Sequence, residues 1–107
     1  MKSLLFLILV VVNFVSNLSF AQQLLTGTIS DEHDIPIPYA KIYVKNSVEL
    51  RTMADLNGHY EMRLYQGEYF LVITSMGYDN TDAYVAIKEH TIEKNYKLYP
   101  TSVQEIE

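Results

Sequence analysis

Short segments of alternating apolar and polar residues, separated by turn-forming residues, constrain this chain more than any other feature. The clearest turn lies in the stretch from Thr52 to Tyr60. Asp55 and Asn57 can hydrogen-bond their own downstream backbone, and Gly58 tolerates the positive φ of a tight turn. The residues that follow, up to Leu64, alternate in polarity as a half-buried β-strand does. The pattern predicts a hairpin closed by Asn57-Gly58.

The same alternation recurs along the chain and predicts an all-β protein. Apolar residues in both phases between Tyr69 and Met76 predict a strand that is enclosed on both faces. Pro36 and Pro38 supply no ladder donor, so their segment is expected along an edge or between sheets. Seven short strands with tight turns are typical of an antiparallel two-sheet sandwich, Ig-like in architecture. The remaining predicted inner faces and turns are Leu25, Gly27 and Ile29; Ala40, Ile42 and Val44; Ala83, Val85 and Ile87; Ile92, Tyr96 and Leu98; and turns at Gly67 and Gly77.

The first 21 residues have the features of a signal peptide. Lys2 precedes an apolar run from Leu4 to Val12, and Ser19-Phe20-Ala21 supplies small residues at the −3 and −1 positions of a cleavage site. The mature chain is therefore predicted to start at Gln22 and to contain no membrane span. A buried core helix is less favoured, because the run shows no helical amphipathicity. The chain has no cysteine, so neither disulfides nor an acylated lipoprotein thiol are predicted.

Charge and motif content argue against several functional classes. The formal net charge is −5 and the basic residues are scattered, which disfavours nucleic acid as a partner. His33, His59 and His90 are far apart in the sequence, and no catalytic motif is present. Asp55-x-Asn57-Gly58 resembles the start of a calcium loop, but its glycine comes two positions early and Gln66 replaces the bidentate glutamate. No catalytic residue, cofactor or metal is predicted.

The tyrosines are the better functional signal. The chain has 9 of them, and Tyr39 and Tyr43 are predicted on the polar face of the second strand beside Lys41 and Lys45. Exposed aromatic rings on a rigid sheet can stack on sugars or anchor a protein partner. Tyrosine is also a common strand residue that can simply cover a sheet. These four residues are the candidate ligand or partner surface.

Several motifs follow one another in an order and spacing that are fairly specific for one fold. They are Gly27-Thr28-Ile29 with Asp31; Pro36-Ile37-Pro38 with Ala40; Ile42-Tyr43-Val44-Lys45; Thr52 with Asp55-Leu56-Asn57-Gly58-His59-Tyr60; Gly67-Glu68-Tyr69-Phe70-Leu71-Val72; Ser75-Met76-Gly77-Tyr78; and Leu98-Tyr99-Pro100. Together they resemble the carboxypeptidase-regulatory-like domain, a transthyretin-like or prealbumin-like sandwich. Asp34 departs from the pattern where the family usually has a turn glycine, and Tyr39 where a glycine usually follows the second proline.

The resemblance implies a context, because such domains occur after signal peptides at the N-termini of TonB-dependent outer-membrane receptors. Residues 1–21 are then the signal peptide, 22–100 the domain and 101–107 an acidic tail or linker. The expected function is a non-catalytic accessory or interaction domain, exported to the periplasm, the outer membrane or the medium. Its expected partners are envelope proteins or a receptor barrel. The alternative is a stand-alone module that binds carbohydrate or peptide. A hydroxyisourate hydrolase is a distant third, because the C-terminal tetrapeptide of those enzymes is missing.

Overall fold

A computed structural model describes residues 21–102 of the chain. The predicted signal peptide, apart from Ala21, and residues 103–107 of the predicted tail lie outside this part. Within the described part, no helix is long and apolar enough to cross a membrane. The strands are β1 (Gln23–Ser30), β2 (Lys41–Val44), β3 (Ser47–Met53), β4 (His59–Leu64), β5 (Gly67–Thr74), β6 (Thr81–Ile87), β7 (Ile92–Glu93) and β8 (Tyr96–Lys97).

The strands form two sheets, which confirms the predicted all-β sandwich. In the first, called the β1 sheet, β4 pairs with β1 on one side, and β7 and β8 pair with β1 on the other. The second, called the β2 sheet, has the order β3-β2-β5-β6. Residues 21–102 contain eight strands and not the predicted seven, because the predicted last strand is interrupted at Lys94-Asn95. Both halves pair parallel to β1, whereas all other pairings are antiparallel.

The interruption between β7 and β8 crosses the backbone of β1 at Gly27. The Lys94 amide donates to the Thr26 carbonyl, and the Asn95 side chain accepts the Thr28 amide proton at 2.9 Å. A Cβ added at Gly27 would lie 1.9 Å from the Lys94 carbonyl oxygen. The crossing therefore depends on the missing side chain of Gly27, and not on an unusual φ.

The turn around Gly58 forms as predicted, but it does not close a hairpin. Asp55 Oδ1 accepts the amide protons of Asn57 and His59 at 2.8 and 3.0 Å, and Gly58 has a φ of 76°. The strands on either side, β3 and β4, belong to different sheets. The hairpin prediction is wrong because local turn chemistry does not fix the pairing partner, and β4 pairs along its whole length with β1. The turn thus joins the two sheets.

The core lies between the inner faces of the two sheets, and the predicted inner face of Ala40, Ile42 and Val44 is confirmed. Tyr60 is its largest fully buried side chain; its hydroxyl donates to the Lys94 carbonyl at 2.6 Å, and burial raises its pKa. The Tyr60 ring stacks on Tyr96 with centroids 6.2 Å apart. The other buried core residues are Leu25, Ile29, Ile37, Ala54, Met62, Leu64, Leu71, Ile73, Val85, Ile87 and Leu98.

Candidate partner-binding face

The four predicted surface residues are divided between one strand and its two flanking turns. Lys41 and Tyr43 lie in β2 on the outer face of the β2 sheet. Tyr39 precedes the strand, and Lys45 follows it in the turn to β3, where its Nζ lies 3.6 Å from Asp82 Oδ2. The prediction that Tyr39 and Tyr43 share a strand face is wrong, because β2 begins only at Lys41.

Tyr39 and Asp34 both adopt left-handed backbone, with φ values of 62° and 64°. These are the two positions where the resemblance led us to expect glycine. A positive φ is uncommon for a residue as bulky as tyrosine. The Tyr39 amide proton is held by the Asp55 carbonyl at 3.3 Å, and the exposed ring extends from this fixed turn. The backbone of the connection thus keeps a glycine-like path without glycine.

The segment before Tyr39 is organised by Asp31. Its Oδ1 accepts the amide protons of His33 at 2.8 Å and Ile35 at 3.0 Å. The bond from Ile35, followed by that from His33, lowers the pKa of the Asp31 carboxyl, because both bonds favour its charged form. Pro36 makes a single bridge to Ser30, and the Ile37 amide donates to the Ile29 carbonyl. The segment runs beside β1, in agreement with the predicted edge position.

The outer face of the β2 sheet carries a group of large apolar side chains, Tyr43, Met53, Phe70 and Tyr84, which we call the aromatic face. Phe70, Tyr84 and Met53 are 58%, 52% and 53% exposed. Phe70 and Tyr84 are cross-strand neighbours with ring centroids 5.5 Å apart. Val72 of β5 lies beside Tyr43 of β2 and Asp82 of β6 on this outer face. It is only 6% exposed, although it does not belong to the core between the sheets. Its burial shows that side chains on the outer face cover it.

Charged side chains divide the aromatic face into two halves. Lys41 and Arg51 lie on the half formed by β2 and β3, beside a concavity of about 690 Å³ that is also lined by Tyr43, Val48 and Met53. Glu68 and Asp82 lie on the half formed by β5 and β6. The Tyr84 hydroxyl donates to the Glu68 carboxylate, and this bond raises the pKa of Tyr84. The face therefore has a cationic half and an anionic half around exposed rings, and in the anionic half Asp82 is paired with Lys45.

Sequence reasoning missed Met53, Phe70 and Tyr84 as surface residues. The segment from Tyr69 to Met76 is apolar in both phases, and we interpreted that as a strand buried on both sides. In the structure, Leu71 and Ile73 point into the core. Phe70 and Val72 point to the outer face of the β2 sheet, where Phe70 belongs to the aromatic face. Tyr84 could have been found from its phase, since it is opposite to Ala83 and Val85 in the alternation of β6.

Gly67 and Gly77, which were predicted as turn positions, lie at the start of β5 and in the turn that follows it. Gly67 has a φ of 154°, and Gly77 has a φ of 87°. His59 Nε2 lies 3.3 Å from Thr26 Oγ1 and 3.6 Å from Glu61 Oε1. Among residues 21–102, no three His, Asp or Glu side chains are close enough together to hold a metal ion.

Solved structures with a similar fold come from proteins of different kinds. A chain of a type II Cohesin-X-Dockerin complex from Acetivibrio cellulolyticus has a TM-score of 0.61 at 17% identity, over 73% of this chain and 58% of that one. The 3-chlorocatechol 1,2-dioxygenase from Rhodococcus opacus 1CP also has a TM-score of 0.61, at 10% identity, over 78% of this chain and 61% of that one. At these identities the likeness concerns the fold alone.

Sequence comparison gives a narrower result. The chain is 35% identical over 78 residues to the TonB-dependent receptor P39 of Formosa agariphila, which is 73% of this chain and 7% of the receptor. It thus corresponds to a small part of that protein. Residues 25–107 match the family of CarboxypepD_reg-like domains. This match covers most of the sequence and includes every strand after the start of β1. The chain belongs to the CarboxypepD_reg-like domain family.

Proposed function

We propose that this chain is a non-catalytic interaction domain of the bacterial cell envelope, exported by residues 1–21, whose aromatic face binds a protein partner. The observation that carries the proposal is the exposure of Phe70, Tyr84 and Met53 on the outer face of one sheet. Aromatic residues, methionine and arginine are the types enriched in the buried centres of protein interfaces. The similarity to part of a TonB-dependent receptor supports an envelope location.

The charge distribution on the face indicates the chemistry of the partner. Lys41 and Arg51 stand beside the concavity on a chain whose net charge is −5. An extended polypeptide segment would match both the cations and the exposed rings of this face. Its acidic side chain would lie over Lys41 and Arg51, and its apolar side chains would lie over Tyr43 and Phe70. Arginine favours such a ligand, because its planar guanidinium binds a carboxylate through two parallel hydrogen bonds.

Site-specific photo-crosslinking in the living cell tests this proposal. A photoreactive amino acid replaces Phe70 in one strain and Glu93 in the other, since Glu93 is an exposed strand residue of the β1 sheet. We expect an adduct with an envelope protein from position 70 only, with mass spectrometry placing the crosslink in an acidic segment. Lys41→Glu with Arg51→Glu should abolish that adduct.

Three outcomes would contradict the proposal. Equal adducts from both positions would mean that the aromatic face has no preference for a partner, and an adduct that survives the double charge reversal would exclude an acidic segment. Binding of oligosaccharides, lost in Tyr43→Thr with normal circular dichroism, would favour the carbohydrate-binding alternative instead. N-terminal sequencing of envelope material tests export separately, because the proposed cleavage leaves Gln22 as the first residue.

A further inference from the structure

The free edge of β4 is a regular unpaired strand edge in the described part of the chain. β4 pairs with β1 without a register shift, from Gln23↔Leu64 to Thr28↔His59. Among the other edges, β7 and β8 have 2 residues each, and β3 has a register shift against β2 between Tyr43 and Val44. The edge of β6 is as regular as that of β4, but Asp82 is the one charged residue of β6, so its edge has no opposite charge to pair with in a second copy. Short strands and bulges protect an edge from further pairing. β4 has neither protection.

The backbone groups that point away from β1 can be assigned along β4. The Ile29 amide donates to the Gly58 carbonyl, and hydrogen-bonded positions alternate along an antiparallel pair. The groups of Tyr60, Met62 and Leu64 therefore point towards β1, and those of His59, Glu61 and Arg63 point outwards. The backbone groups of His59 already have partners: its amide donates to Asp55 Oδ1, and its carbonyl accepts the Asp55 amide proton. The open ladder positions within β4 are thus Glu61 and Arg63.

These two positions carry opposite charges, and both side chains are exposed on the outer face. Among residues 21–102, no carboxylate oxygen lies within 4.0 Å of the Arg63 side chain, and Glu61 approaches only His59 at 3.6 Å. Glu61 and Arg63 are symmetric about Met62, so the edge is complementary in charge to itself.

We propose that β4 pairs antiparallel with β4 of a second copy of this chain, about a two-fold axis at Met62. Glu61 then lies opposite Arg63 of the other copy, and the two residues exchange both backbone hydrogen bonds. The axis repeats this pair, which gives four backbone bonds and two opposite-charge pairs. The pairing does not cover the aromatic face, so it goes beyond the proposed function and does not depend on it.

Charge also selects this register over its neighbours. A register shift by two residues again brings the outward-pointing backbone groups of the two strands opposite each other. It moves the two-fold axis to Glu61 or to Arg63. The first shift places Glu61 opposite Glu61, and the second places Arg63 opposite Arg63. Like charges directly opposite each other destabilise a strand pair, whereas opposite charges stabilise it. Leu50, which is exposed on β3 and lines the same groove as Met62, adds apolar surface near the axis.

Sedimentation velocity over a range of concentrations tests the proposal, with protein purified after expression of the full chain. We expect a reversible dimer that weakens as the salt concentration rises, because exposed charge pairs are screened. Glu61→Arg and Arg63→Glu should each weaken the dimer on the order of tenfold or more, since each places two like-charge pairs at the interface. The exchange variant with both substitutions should dimerise like wild type.

An equimolar mixture of the two single variants gives the most specific result. Glu61→Arg supplies only cations at positions 61 and 63, and Arg63→Glu supplies only anions. The mixture should therefore form a heterodimer where neither variant dimerises alone. Lys88→Glu with Glu89→Arg, in the exposed loop after β6, is the control and should leave the dimer unchanged. A wild type that is monomeric at all concentrations, or a dimer unaffected by the single reversals, would overturn the proposal.

Discussion

The outer faces of the two sheets differ although their inner faces form one shared core. The outer face of the β1 sheet is polar, with Thr26 paired to Glu61 and Thr28 paired to His59. The outer face of the β2 sheet carries Phe70 and Tyr84, more than half exposed, above the nearly buried Val72. Apolar and polar residues alternate strictly in β4, because one face of this strand meets water. They do not alternate in β5, because its outer face is apolar as well as its inner face. This difference is the reason why we propose the outer face of the β2 sheet as the one that binds a partner through its side chains.

The two sheets also differ in the arrangement of their backbones. The β2 sheet is entirely antiparallel, whereas the β1 sheet includes two short parallel strands and the crossing of Lys94 over Gly27. The β1 sheet is thus the one with the tight backbone contact at Gly27. Substitutions that add volume should consequently have unequal effects on the two sheets.

The largest expected effect is that of Gly27→Ala. The new Cβ would lie 1.9 Å from the Lys94 carbonyl oxygen, so β7, β8 and the bond from the Tyr60 hydroxyl must move. We expect a loss of about 3 kcal/mol in the free energy of unfolding, measured by urea denaturation. Ala86→Val, on the partly exposed outer face of the β2 sheet, should stay within about 0.5 kcal/mol. Similar losses in both variants would remove the proposed contrast between the sheets.

The second prediction compares two glycines with positive φ, Gly58 in the turn between the sheets and Gly77 in the β5–β6 turn of the β2 sheet. Alanine at either position meets the backbone cost of left-handed φ, which is about 1 kcal/mol. At Gly58 the Cβ would also lie 2.6 Å from the Ile29 carbonyl oxygen, whereas at Gly77 no atom lies within 4 Å. Gly58→Ala should therefore cost about 2–3 kcal/mol and Gly77→Ala about 1 kcal/mol.

Urea denaturation of both variants measures the difference. An equal loss of stability in the two would mean that conformation alone explains the glycine at position 58. The contact with β1 would then contribute nothing to the junction between the sheets.

Much of this fold could be predicted from the sequence because its signals are local. Alternation identified the inner faces around Ile42 and Tyr60, and turn chemistry identified Gly58. The pairing of β4 with β1 could not be predicted, because the residues of a turn do not record which distant strand lies beside the next one. The break at Lys94-Asn95 could not be predicted either, since it follows from the close approach to Gly27 in space.

The candidate site was predicted only in part, for a related reason. Lys41 and Tyr43 were placed on the outer face by the alternation of β2, and the structure has them there. Tyr39 was assigned to the same strand because alternation does not reveal a positive φ at a non-glycine residue. The glycine that the family usually has at this position was the one available signal. Phe70 and Tyr84 meet only through the β5–β6 register, so neither strand by itself reveals the pair.

The smallest expected effect concerns the titration of Tyr84 on the aromatic face. The hydrogen bond from its hydroxyl to Glu68 raises the pKa above the ordinary value of 10.0, because it favours the neutral phenol. The contribution of this contact to stability is thus fully present below pH 10.0 and is lost as the pH rises through the pKa in the folded protein. NMR titration of ¹³C-labelled tyrosine rings should show the pKa of Tyr84 returning towards 10.0 in Glu68→Ala. Glu49→Ala, an exposed acid on β3, is the matched control and should leave the titration unchanged. If Tyr84 titrates identically in wild type and Glu68→Ala, the ring is not held by Glu68 in solution. The anionic half of the aromatic face would then lack the hydrogen bond that fixes an exposed ring there. That fixed ring is what distinguishes this half from the polar outer face of the β1 sheet.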